Sequence, residues 1–158
     1  MTDWKPTANE LSGIYAMFWR LLAVLVGRYG SFPSGHLLTI LTTVLLDRAD
    51  YHPTVSELVD ITRLPKSAVS RYVALDIESG FLTEVIDPND RRRRLLHPTL
   101  KSKQEQQWQM DQLIEILELS LRAYSGFGDS KNPAQDLKEI LRGASLEDVS
   151  GAQTKTDH

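Results

Sequence analysis

Four consecutive arginines, Arg91 to Arg94, follow directly on the turn-forming run Asp87-Pro88-Asn89-Asp90, and that junction limits what the surrounding chain can be. Phe81-Leu82-Thr83-Glu84-Val85-Ile86 reads as a strand and Arg93-Arg94-Leu95-Leu96-His97 as its partner, so the arginines sit at the tip of a hairpin. Two helical segments precede it. Pro53-Thr54 opens the first, with Thr54 and Glu57 at capping-box spacing and Val55, Leu58 and Val59 facing inward. After Ile61-Thr62-Arg63-Leu64, Pro65 starts the second, which runs to Ser79 and stops at Gly80, a left-handed C-cap. Helix, turn, helix and basic hairpin over 55–99 make a helix-turn-helix with a wing, an order that reaches both grooves of duplex DNA.

The second helix has a polar and an apolar side. Lys66, Ser67, Ser70 and Arg71 cluster near its N-terminal end at spacings of three and four, which places Lys66, Ser67 and Ser70 on one face. Val69, Val73 and Ile77 form the opposite stripe that locks the helix to a core. First-turn residues are those that reach base edges when such a helix enters the major groove. Arg71 suits a bidentate contact to guanine, and the two serines suit phosphate or either base. In the hairpin, alternation along a strand places Arg92 and Arg94 on one side and Arg91 and Arg93 on the other. All four arginines are candidate DNA contacts, with phosphate as the common partner.

Charge distribution agrees with this reading better than total charge does. The chain of 158 residues has a formal net charge of −3, yet 54–103 holds nine Lys and Arg against seven Asp and Glu. A locally positive surface on an acidic body would orient bound DNA. With no cysteine, disulfides and thiolate metal sites are excluded. The N-terminus has no basic stretch ahead of an apolar run, and the apolar segment 14–26 is broken by Arg20 and too short for a bilayer. A cytoplasmic, non-membrane protein is expected.

Long helices flank the basic region. The first, entered through a capping box at Thr7-Ala8-Asn9-Glu10, carries Leu11, Ile14, Tyr15, Phe18, Leu21, Leu22 and Leu25, widened by Met17, Val24 and Val26. Gly30-Ser31-Phe32-Pro33 ends it. A helix over 34–48 follows, with Leu37, Leu38, Leu41, Val44 and Leu45 read as inward-facing. Pro98-Thr99 begins the last long helix, nearly encircled by apolar residues from Trp108 to Tyr124. Asn132-Pro133 starts a closing helix to Arg142. The first and fifth helices present more apolar surface than a small monomer buries, which predicts a homodimer. The expected fold is mostly α with a small β-hairpin wing: a dimerisation helix over 1–33, the winged helix-turn-helix over 34–99, C-terminal dimerisation helices over 100–143 and a disordered tail over 144–158.

Lys66-Ser67-Ala68-Val69-Ser70-Arg71, Gly80-Phe81-Leu82 and above all Asp87-Pro88-Asn89-Asp90-Arg91-Arg92 resemble the MarR (multiple antibiotic resistance regulator) family of winged helix-turn-helix transcription factors. The resemblance extends over about 11–142. Asp76-Ile77 departs from the Leu-Glu pair the family often has four residues before the glycine, and Pro98-Thr99 stands where it has Leu-Thr. The resemblance implies a transcriptional regulator acting as a homodimer on a palindromic operator, in the usual case a repressor released by a small, often aromatic or phenolic acid effector. It also implies that Asp90 pairs with Arg92 to stiffen the wing, leaving Arg91 or Arg93 for the minor groove. An effector pocket would draw on Tyr15, Trp19, Arg20, His36 and Ile40, apolar walls with polar anchors. No cofactor is implied. The scattered histidines His36, His52, His97 and His158 make neither a metal motif nor a catalytic constellation, so enzymatic activity is not expected. The alternative reading is a winged-helix protein–protein interaction module without sequence-specific DNA binding.

Overall fold

A computed structural model describes residues 8–126 together with 131, 132, 134, 135, 138, 139 and 141; side chains are described over 13–117 and at the later isolated positions. In chain order the elements are α1 (Ala8–Tyr29), α2 (Ser34–Arg48), α3 (Val55–Thr62), α4 (Lys66–Glu78), β1 (Leu82–Ile86), β2 (Arg94–Pro98) and α5 (Leu100–Gly126). The chain divides into two compact units, Phe32–Trp108 and the pair of segments Met1–Ser31 and Gln109–His158. In the stretch assigned to a closing helix, residues 134, 135, 138, 139 and 141 are helical, and the Asn132 side chain accepts from the Gln135 amide. The capping box at Thr7 and the 144–158 tail lie outside the described residues.

The unit Phe32–Trp108 is built on a small apolar core. Leu58 of α3, Val69 and Val73 of α4 and Leu96 of β2 are fully enclosed, with Val55, Val59, Leu64 and Ile77 packed around them. Thr54 caps α3 reciprocally: its hydroxyl accepts from the Glu57 amide while the Glu57 carboxylate accepts from the Thr54 amide at 2.7 Å. Arg63 closes α3 in the left-handed region at φ 59°, an uncommon conformation for a residue with a Cβ, and its amide bonds the Val59 carbonyl. Pro65, expected as the first helical residue, is instead the N-cap of α4, with extended ψ, and the helix begins at Lys66. Gly80, at φ 78°, turns the chain from α4 into β1. The strands pair antiparallel from Leu82 opposite Pro98 to Ile86 opposite Arg94.

Two expectations are corrected here. Pro98 belongs to β2 rather than to the last helix; Thr99 is the residue that caps α5, accepting from the Ser102 amide while its hydroxyl donates to the Gly80 carbonyl. In α2 the enclosed face is Thr39 and Thr43, whereas Leu38, Leu41 and Leu45 of the expected inward set are exposed. The reason is local. Each threonine hydroxyl donates to a carbonyl four residues back, at 2.8 and 3.0 Å, so a polar side chain enters the interior with its hydrogen bond already made.

In the other unit, Val24 and Leu25 of α1 and Ile116 of α5 are buried. Gln109 donates to the Tyr29 hydroxyl at 3.0 Å. Tyr15, Phe18 and Leu22 of α1, with Ile114 and Leu117 of α5, are exposed in the single chain. Among the described residues, no helix is long and apolar enough to cross a membrane.

Candidate nucleic-acid interface

The apolar side of α4 is spent on the core, and that fixes which side is left for a ligand. Val69 and Val73 are buried and Ile77 is half-buried, as the sequence pattern predicts. Lys66, Ser67, Ser70 and Arg71 are all exposed. The N-cap is Pro65, whose ring offers no acceptor, so no side chain caps the first turn of α4. Helix N-terminal amides of that kind attract anions. The Arg71 guanidinium lies over the ring of Tyr72, 5.3 Å from its centroid, an arrangement that restrains a long side chain through its cation–π contact.

Tyr72 itself is buried and stacks on His36 of α2, with ring centroids 4.9 Å apart and planes 5° from parallel. His36 Nε2 is 2.7 Å from Asp76 Oδ1, which ties α2 to α4 through a buried carboxyl. Burial pushes the Asp76 carboxyl above its ordinary range, and His36 only partly offsets this. The other oxygen, Oδ2, is enclosed without a hydrogen-bond partner among the described residues. His36, assigned by sequence to an effector pocket, is therefore already engaged within the unit Phe32–Trp108. Ile40 lies on the same helix, half-buried, while Tyr15, Trp19 and Arg20 lie on α1 in the other unit.

The wing tip is a chain of short turns. The Asp87 amide bonds the Arg93 carbonyl at 3.0 Å, closing the loop, and the Arg93 amide bonds the Asp90 carbonyl at 2.9 Å. Asp87 Oδ1 accepts from the Asn89 amide at 2.9 Å, and Asp90 Oδ1 accepts from the Arg92 amide at 3.0 Å. Asp90 thus stiffens the wing through the main chain of Arg92, and this replaces the side-chain ion pair implied by the resemblance. Asp and Asn favour such local side-chain bonds, which is why this run makes a defined turn.

The four arginines divide differently from the expected alternation. Arg91 and Arg92 lie in the turn and only Arg94 enters the strand, so the two-residue period does not govern the set. Arg91, Arg92 and Arg94 are exposed, and Arg94 lies 3.8 Å from Glu84 on the neighbouring strand. Arg93 turns inward. Its Nη1 is 3.4 Å from Asp87 Oδ2 and its Nη2 is 3.4 Å from Glu57 Oε1 of α3. Burial pushes the Glu57 carboxyl up, but donation from the Tyr51 hydroxyl, the cap at Thr54 and the charge of Arg93 outweigh it, so Glu57 titrates below its usual value.

The base of the wing is fastened to the same segment. The Leu96 amide bonds the buried Pro53 carbonyl at 2.9 Å, and His97 stacks on His52 at 3.6 Å. His52 in turn reaches Asp47 at 3.0 Å. Burial, with the neighbouring His52, pulls the His97 pKa down. Among the described residues, no three His, Asp or Glu side chains are grouped to hold a metal ion.

No protein-family model and no curated protein matches the sequence. Solved structures do. The Multiple Antibiotic Resistance Repressor, MarR, aligns with a TM-score of 0.53 at 14% identity, over 90% of this chain and 98% of its own. A MarR-like transcriptional regulator from Thermotoga maritima aligns with a TM-score of 0.50 at 19% identity, over 92% of this chain and 99% of its own. The chain has a MarR-like winged-helix fold. In that winged helix α3 and α4 are the helix-turn-helix, β1 and β2 are the wing, and α1 and α5 are the flanking helices. Sequence reasoning missed two contacts in it, Arg93 with Glu57 and His36 with Asp76. The second had a signal: an acidic residue at position 76, where the resembled family has leucine.

Proposed function

We propose that the protein is a homodimeric, sequence-specific DNA-binding transcriptional regulator, a repressor released by a small effector. The observation that carries the reading is the exposed polar face of α4, with Lys66, Ser67, Ser70 and Arg71, on the same unit as a wing whose tip holds Arg91 and Arg92 free of the core. α4 supplies base-edge contacts in the major groove, Arg71 foremost, and the wing supplies phosphate and minor-groove contacts. Exposed apolar residues on α1 and α5 support a dimer, which would present two reading helices to half-sites one helical turn apart. Repression is suggested by what the neighbour MarR is called. The effector would be an aromatic or phenolic acid, acting by shifting the population of the DNA-competent state.

Selection from a random duplex pool, followed by gel-shift titration on the enriched site, tests this. Arg71→Ala lowers specific affinity by roughly 5- to 150-fold and relaxes preference at one position, corresponding to about 1–3 kcal/mol. Arg91→Ala and Arg92→Ala weaken binding evenly across sequences and each reduces the salt slope by about one. A protein that enriches no sequence and binds no duplex at low salt overturns the reading in favour of an interaction module.

A further inference from the structure

Arg93 stands in a run of four arginines yet differs from its neighbours in every contact. We propose that Arg93 is the positioning residue of the wing, clamped between Asp87 and Glu57, and that it makes no DNA contact. The inference rests on the DNA-binding reading for its consequence, though not for the clamp.

The geometry commits both terminal nitrogens of the guanidinium. One terminal nitrogen faces Asp87 Oδ2 and the other faces Glu57 Oε1, both at 3.4 Å, so the planar fork joins two carboxylates that come from separate parts of the fold. Each carboxylate is itself fixed by its remaining oxygen. Asp87 Oδ1 holds the Asn89 amide at the wing tip. Glu57 Oε2 holds the Thr54 amide at the start of α3, and Glu57 Oε1 also takes the Tyr51 hydroxyl. Arg93 therefore connects a rigid point on the helix-turn-helix to a rigid point on the wing. Asp87 is buried and Glu57 half-buried, so neither moves freely to follow a displaced arginine.

Charge points the same way. A guanidinium facing two carboxylates has its field cancelled locally, and a phosphate approaching it would meet both anions. Removing Arg93 would leave Asp87 and Glu57 without the cation they share. What Arg93 does for binding is to hold Arg91 and Arg92 in place and to offset part of the charge of these two acids.

A positioning role and a contact role predict different results for the conservative variant. Lysine keeps the charge but lacks the planar fork that meets the two carboxylates with separate nitrogens, so Arg93→Lys and Arg93→Gln both lose roughly three- to tenfold in affinity, the scale of two partly exposed ion pairs. The salt slope stays at its wild-type value, because no phosphate contact has been removed. Adding Glu57→Gln to Arg93→Gln recovers part of the loss by removing one stranded anion; glutamine retains the α3 cap. Retention of wild-type affinity by Arg93→Lys, or a fall in salt slope of about one in Arg93→Gln, overturns the proposal.

Limited trypsin digestion without DNA reads the clamp separately. Glu57→Gln speeds cleavage after Arg91 and Arg92 several-fold if the clamp holds the tip, and an unchanged rate overturns it. Failure of the wild-type protein to bind DNA, together with this acceleration in Glu57→Gln, would sink the regulator reading and leave the clamp standing.

Discussion

Helix α4 and the wing carry the same kind of charge but are held in place by different forces. α4 is seated by apolar contact: Val69 and Val73 are buried against Leu58 and Leu96, and its basic residues project from the opposite face. The wing is narrow and mostly exposed, with Thr83, Glu84, Val85 and Ile86 of β1 all open to solvent. Its tip depends on carboxylates, Asp87, Asp90 and Glu57, each accepting from the main chain or from Arg93. Apolar seating is insensitive to ionic strength, whereas partly exposed ion pairs are screened within a Debye length of about 8 Å at physiological salt. The seat of α4 is thus the same across salt conditions, and the support of the wing tip is tunable.

The largest effect should come from the shared core. Leu58→Ala removes the side chain on which both α4 and β2 rest, and a fully buried leucine cut to alanine costs about 2–5 kcal/mol. Urea denaturation measures it. A loss below about 1 kcal/mol would mean that α4 is not seated as described.

Thr54→Ala is next, at about 1 kcal/mol, because it removes one half of the reciprocal cap on α3. This variant also tests the contrast between the two elements. Glu57 is both cap and wing anchor, so a loosened α3 start should raise amide exchange at Asp87 and Arg93 more than within α4. Equal changes in both elements would show that helix and wing share one support.

The legibility of these features in the sequence follows the range of the forces involved. The Thr54–Glu57 cap, the Gly80 turn and the Asp87–Asp90 tip are set by residues within four positions of one another, and each could be read directly. The α4 stripe was equally readable, since 69, 73 and 77 share a face. What could not be read joins distant positions. Arg93 reaches Glu57 over thirty-six residues, and Glu57 already had a sufficient local explanation as a capping residue. The face of α2 misled for another reason: leucines mark a core face only when nothing else can be buried there, and Thr39 and Thr43 satisfy their own hydroxyls. The Asp90–Arg92 relation was found at the right positions with the wrong atoms, because a side-chain pair and a side-chain-to-amide bond leave the same sequence trace.

The smallest effect separates the two elements by pH. Glu57 titrates below its ordinary value, so its contribution is present above the unfolded pKa near about 4.3 and disappears as pH falls through the lower folded value. Asp76 runs the other way. Its folded pKa is raised, chiefly by burial, so the favourable contribution of its neutral form is complete below the unfolded value near about 3.9 and is lost as pH rises through the folded one. Acid should therefore loosen the wing while relieving the buried carboxyl that joins α4 to α2. Asp76→Asn keeps a neutral polar group beside His36 and removes the enclosed charge. Its stability should differ from wild type by no more than about 1 kcal/mol at neutral pH, with the sign towards stabilisation, because it deletes an enclosed charge whose Oδ2 has no hydrogen-bond partner among the described residues. Thermal denaturation of the two proteins across acidic to neutral pH decides the matter: their difference should shrink as pH falls. A difference that grows towards acid would mean that Asp76 is stabilised as the anion by His36, and that α4, like the wing, is held by charge.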